Sequence, residues 1–132
     1  PDVTTSRTWV LVLSARHARE AVAGGFIMVG TGKRPALACL ATGDRIVVYS
    51  PRTDHPEGDP LSAVTAVGTV TGDQPIGDES AGFTRAAAMT GIEPVPLERI
   101  RRQLPLPLLR FGCIALSDSQ GDELWAVVTA AE

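Results

Sequence analysis

The residues whose types could do chemistry gather between Gly32 and Gly72, with one more at Ser14. Tyr49-Ser50 stands at the end of the β-branched run Arg45-Ile46-Val47-Val48, and Ser14 ends an apolar run that starts at Trp9. Together they suit a flipped or single-stranded base. An aromatic face supplies stacking of about 1 to 3 kcal/mol, while hydroxyls and free backbone groups read the base edge. Lys33 and Arg34 in a glycine loop and Arg52 after the strand suit phosphate oxygens. Each has a plainer role as well. Tyr49 also suits a core that has only three Phe, two Trp and one Tyr to draw on. Ser50 also suits the turn before Pro51, and exposed loop cations are commonly just solvated. Trp9 alternates with Leu11 and Leu13, so it reads as core.

Other chemistries are disfavoured. Gly32-Lys33 ends like a phosphate-binding P-loop, but the required first glycine falls at Ile27, and Arg34 stands where Ser or Thr would bind magnesium. A dinucleotide fingerprint fails because Pro35 takes the third glycine's place after Gly30 and Gly32. The acidic pairs Asp78-Glu79 and Asp122-Glu123 lie in turn-like or helix-starting segments, where capping and solvation are the commoner roles. Ser14, Ser50, Ser62 and His17 make no nucleophile elbow with an orienting acid. We therefore expect no catalytic residues. Cys39 and Cys113 sit among apolar neighbours and read as buried small side chains, and His17 and His55 make no metal spacing with them. Neither a metal nor a cofactor is expected.

The elements that must position these residues follow from turn signals and periodicity. A strand over residues 8–14 leads into a short helix over 17–22, capped by Ser14 and stopped by Gly24-Gly25. Residues 26–29 read as a short strand before the Gly30-Thr31-Gly32-Lys33 loop. Thr42-Gly43-Asp44 opens a strand that Pro51 ends, since proline cannot donate to a ladder. The run 61–70 is its antiparallel neighbour across a polar loop, with Gly68 marking a bulge or bend. Residues 73–82 read as an acidic surface loop and 83–92 as a further strand. A helix is expected from Pro96 to Gln103 with Ile100 inward and Arg99, Arg101 and Arg102 outward. A strand over 109–117 and a last helix over 120–130, capped by Asp118 or Ser119, complete the chain.

In this order the chain resembles the EVE domains of the PUA-like superfamily, small β-barrel modules linked to RNA and to modified bases in nucleic acids. The matching pieces are Trp9-Val10-Leu11-Val12-Leu13-Ser14, Gly25-Phe26, Gly32-Lys33, Gly43-Asp44 leading to Tyr49-Ser50-Pro51, Pro60-Leu61 leading to Ala66-Val67-Gly68, and Arg110-Phe111-Gly112. The resemblance implies an α+β fold: a PUA-like mixed, mostly antiparallel β-barrel with peripheral helices. It implies a base pocket around Ser14, Phe26, Tyr49 and Ser50, with Phe26 part of the cage. Arg110 would line that pocket or pair with a buried acid such as Asp44. EVE domains usually carry an arginine pair after a phenylalanine; here Phe83-Thr84-Arg85 runs into Ala86-Ala87-Ala88, which leaves Arg85 as the phosphate candidate. The approach to the Arg110 strand also lacks the usual tryptophan.

Length and composition agree with one domain over residues 1–132. Such a chain buries roughly two-thirds of its unfolded surface. With 44% hydrophobic and 20% charged residues it reads as globular. It has no apolar run near the roughly 20 residues that span a bilayer and no signal-like start, so a cytoplasmic location is the default expectation. The net charge of −3 argues against a protein that grips long nucleic acid by electrostatics alone. That average divides into +4 over residues 1–52 and −7 over the rest, so the part holding most of the matched motifs is basic. Solvated surface charge gives the same counts. The expected partner is a nucleic acid, RNA ahead of modified DNA, or a free nucleotide. The alternatives are a small-molecule binding domain and a protein-interaction module with a vestigial pocket.

Overall fold

The computed structural model describes residues 7–27, 40–54, 58–72, 75–78, 82–100 and 113–129. The strands are β1 (Thr8–Val12), β2 (Phe26–Ile27), β3 (Arg45–Arg52), β4 (Pro60–Val70), β5 (Ile76–Asp78), β6 (Gly82–Pro96) and β7 (Cys113–Ala115). The helices are α1 (Ala15–Gly24) and α2 (Asp118–Thr129), and a 3-10 turn spans Leu97–Arg99. Strand order is β2-β6-β4-β3-β1-β7, with β5 paired to β6. The sheet curls into a half-barrel. Among the described residues only β1 and β3 run parallel, from Thr8 opposite Arg45 to Val12 opposite Tyr49; the remaining pairs are antiparallel. A parallel pair needs a crossover, and α1 lies on it.

The runs Trp9-Val10-Leu11 and Ile46-Val47-Val48 are almost wholly apolar because the sheet is covered on both faces. On one face Trp9, Leu11, Leu13, Ile46, Val48, Ala66 and Val70 pack with Ala18 and Ala21 of α1. On the other, Val10, Val47, Tyr49, Val64 and Val67 pack with Leu124 and Val128 of α2. Alternation along β1 and β3 assigns these faces, and on β4 the irregularity at Thr65 sets Val64 and Ala66 on opposite ones.

Asp44, 7% exposed, ties the start of this sheet together. Its carboxylate accepts from the Trp9 indole Nε1 at 2.9 Å, from the Ala41 amide at 2.9 Å and from the Arg7 amide at 3.1 Å. The turn also uses Gly43 at φ 93°, a backbone region that favours glycine.

Several expectations are corrected. Pro51 does not end β3, which continues to Arg52 through a register shift after Ser50. Residues 73–82 are not simply a loop, because Ile76–Asp78 pairs with β6. The helix expected from Pro96 is a 3-10 turn over Leu97–Arg99 within the described residues, since Pro96 itself closes β6; Ile100 is buried, as expected. Ser117, rather than Asp118 or Ser119, caps α2 by accepting from the Gln120 amide at 3.3 Å. Gly68 sits in register opposite Ile46 and Met89, and its lack of a side chain has another cause. A Cβ there would lie 2.3 Å from the Ala88 carbonyl oxygen and 2.5 Å from Met89 Sδ. The irregularity of β4 falls instead at Thr65, where Val64 faces Val95 but Ala66 faces Gly91. On β6 this leaves Ile92, Glu93 and Pro94 opposite the single residue Thr65. Residues 28–39, with Cys39, residues 101–112 and the side chain of Cys113 lie outside the description.

Removing the Asp44 carboxylate would orphan buried donors, each costing about 1 to 3 kcal/mol. We expect Asp44→Ala to lower stability in urea unfolding by about 3 kcal/mol. Asp44→Asn, which keeps one acceptor oxygen, should lose roughly half as much. A loss under about 1 kcal/mol for the alanine variant would show that the turn holds without it.

Candidate functional site

Two cavities adjoin α1, one at its N-terminus and one along its length. The smaller, about 280 Å³, is lined by Val12, Leu13, Ser14, His17, Pro51, Arg52 and Asp54. It lies at the carboxyl ends of the parallel strands. Ser14 is the N-cap of α1, 5% exposed; its Oγ accepts from the His17 amide at 3.3 Å and lies 3.2 Å from His17 Nδ1. Arg52 is exposed and donates from Nη1 to the Gly58 carbonyl at 3.0 Å. Asp54 faces Arg16 Nη1 at 3.4 Å, and Arg16 also pairs with Glu20 at 3.6 Å.

The larger cavity, about 450 Å³, lies between α1 and the irregular part of β4 and β6. Ala15, Ala18, Val22 and Ala23 form its helix side, and Leu61, Thr65, Gly91, Ile92 and Pro94 its sheet side, with Arg19 and Thr53 also contributing. Its existence follows from the backbone. Where β6 carries Ile92, Glu93 and Pro94 against Thr65 alone, the ladder opens, and Pro94 has no amide to close it. Small side chains on α1 leave the gap unfilled. A Cβ built on Gly91 meets nothing within 4 Å. The pleated β4 also carries Ser62 at φ 50°, a conformation rare outside glycine, one residue from the lining Leu61.

The expected pocket is thus divided. Ser14 and Arg52 share the smaller cavity. Tyr49, 4% exposed, packs among Val10, Val64 and Val95 on the α2 face, away from Ser14 and α1. Ser50 is fully buried, and its hydroxyl lies 2.8 Å from Thr65 Oγ1, so it stands behind the larger cavity and holds one of its walls. Phe26 is half-buried on β2 opposite Ala86, with its ring against Gly24, and lines neither cavity. Arg85 is 2% exposed and not on a rim; its Nε donates to the Gly72 carbonyl at 3.1 Å and its Nη1 to the Leu40 carbonyl. Lys33, Arg34 and Arg110 lie outside the described residues. Of the lining residues that the sequence reading missed, Ala15, Ala18, Leu61, Gly91 and Ile92 bear no polar side-chain group, whereas Arg19, Thr53 and Thr65 do. A glycine followed by Pro94 within a strand pattern was the available signal. Among the described residues no group of three or more His, Cys, Asp or Glu could hold a metal ion. No described helix is long and apolar enough to cross a membrane.

This architecture defines a PUA-like fold. It matches the YTH domain of the Zygosaccharomyces rouxii MRB1 protein, solved in complex with N6-methyladenosine RNA, with a TM-score of 0.64 and 11% identity over 100% of this chain and 94% of that one. It also matches the ASCH protein of Zymomonas mobilis, with a TM-score of 0.61 and 13% identity over 92% of this chain and 96% of that one. In sequence the chain is similar to UPF0310 proteins. One from Renibacterium salmoninarum is 42% identical over 65 residues, 49% of this chain and 47% of the relative. The chain spans about half the length of the curated relatives it matches. No protein-family model matches.

Arg85 provides a direct test of structural against ligand-contacting roles. Arg85→Met keeps much of the apolar stem but takes its donor from the Leu40 carbonyl and leaves the Gly72 carbonyl with the Thr42 hydroxyl alone. It should lower the unfolding free energy by about 3 kcal/mol. A variant as stable as the parent that binds nucleic acid more weakly would reverse that assignment.

Proposed function

We propose that the chain is a noncatalytic nucleic-acid-binding domain of the EVE type that seats one base, modified bases included, in the larger cavity beside α1. The cavity itself carries this reading. Its volume of about 450 Å³ lies within the roughly 300–1,000 Å³ of small-molecule sites, enough for a base with its sugar. Val22, Leu61 and Ile92 offer apolar walls, and the hydroxyls of Thr53 and Thr65 and the guanidinium of Arg19 offer polar partners for a base edge. No aromatic side chain lines it among the described residues, so contact with the base faces comes from aliphatic groups.

The likeness to a YTH domain solved with N6-methyladenosine RNA supports the same reading. The space beside Gly91 suits a substituent on the base. RNA is the favoured partner and modified DNA the next. A base reader of this kind would act in the cytoplasm and need no cofactor.

Fluorescence anisotropy with short single- and double-stranded RNA and DNA, each with and without N6-methyladenine or a methylated cytosine, at two salt concentrations, tests the proposal. Selective binding should weaken at least about tenfold in Gly91→Leu, which adds a side chain at the cavity wall, while the melting temperature holds. Binding of free nucleotides alone, with little salt dependence, would favour the small-molecule alternative. No binding across the panel by folded protein would overturn the proposal, as would binding indifferent to Gly91→Leu.

A further inference from the structure

The two cavities are lined by alternate residues of the same two segments. Ser14 and His17 face the smaller, and Ala15 and Ala18 the larger; Arg52 and Asp54 face the smaller, and Thr53 the larger. The wall between them is one strand end and one helical turn, joined by the Arg16 amide donating to the Thr53 carbonyl at 3.0 Å. A ligand seated in the larger cavity therefore has a second, preformed concavity beside it.

The smaller cavity has the chemistry of a phosphodiester site rather than of a second base. Its volume of about 280 Å³ is below the usual range for drug-sized ligands. Three of the first four amides of α1 are already used: Arg16 donates to Thr53, His17 to Ser14 Oγ and Ala18 to the Ser14 carbonyl. An anion there is met mainly by side chains. Arg52 has five guanidinium N–H groups, and the hydrogen bond to the Gly58 carbonyl occupies Nη1 alone. His17 turns Nδ1 to Ser14 Oγ, which leaves Nε2 as its remaining polar atom. The one carboxylate in the lining, Asp54, is offset by Arg16.

We infer that this cleft holds the phosphate next to the seated base, with Arg52 and His17 as its donors, so that the recognised unit is a nucleotide within a strand. The inference rests on the base seat proposed above.

Calorimetric titration of the full chain with adenosine, cytidine and their N-methylated forms, each as free nucleoside, 5′-monophosphate and 3′-monophosphate, separates the two claims. One phosphorylated form should bind about tenfold more tightly than its nucleoside, the gain expected of a charge-assisted contact. Arg52→Ala and His17→Gln should each erase most of that gain, with nucleoside affinity held within about twofold and the melting temperature unchanged. On single-stranded oligonucleotides, Arg52→Ala should reduce the slope of log affinity against log salt by about 0.7. If nucleosides bind and Gly91→Leu blocks them, yet phosphorylation adds nothing or Arg52→Ala weakens all forms alike, the phosphate site is refuted and the base seat stands. If no form binds to folded protein, both are refuted.

Discussion

The sheet depends on the carboxylate of Asp44. A parallel strand pair brings two segments side by side without a hairpin to fix their register, so some other contact must set it. Asp44 precedes β3 and accepts hydrogen bonds from the Arg7 amide and the Trp9 indole at the start of β1. The Ala41 amide, bonded to the same carboxylate, closes the turn that delivers β3. Once Thr8 stands opposite Arg45, Val12 at the end of β1 is level with Tyr49, and α1 begins only Leu13 and Ser14 later. The position of Ser14 and of both cavities follows from that register. A slip of one residue would turn every side chain of β1 to the other face.

The same register explains why Tyr49 and Ser14 do not meet. Residues next to each other on a strand point to opposite faces, and Tyr49 shares its face with Val47 under α2. Ser50, the next residue, points the other way and bonds to Thr65 at the larger cavity. A reading from residue type placed Tyr49-Ser50 at one site, whereas the pleat separates them. Arg85 is a comparable case. The family resemblance made Arg85 a phosphate candidate, but β6 carries it inward, where it donates to the Gly72 and Leu40 carbonyls.

The pairing of β3 with β4, the helix capped at Ser14 and stopped at the left-handed Gly25, and the burial of Trp9 were legible, because each has a local signal: two β-branched runs across a polar loop, a capping hydroxyl, a glycine stop, alternation. Pairings set at long range were not. Whether β6 stops at Ile92 or continues to Pro96 depends on what β4 offers it, and the 73–82 segment forms β5 only because β6 presents a free edge. Proline misled in one place and informed in another. Pro51 is tolerated within β3 beside a register shift, while Pro94 marks the opening in the ladder.

A site read from chemistry-bearing residues is biased towards what is present, whereas this one is made by what is missing. Ala15, Ala18 and Ala23 on α1 and Gly91 on β6 are the smallest side chains available, and they face each other where the β4–β6 ladder is broken. Protein interiors are close-packed, and a gap of this size between a helix and a sheet would ordinarily be filled by larger side chains. Leaving it open forgoes dispersion contacts along both walls. The backbone irregularities at Ser62 and Thr65 flank the same space, and strain of this kind collects at ligand sites, where the surrounding structure holds it in place. Undersized side chains, a broken ladder and a left-handed serine therefore point to one location, the one in which the proposed base would sit.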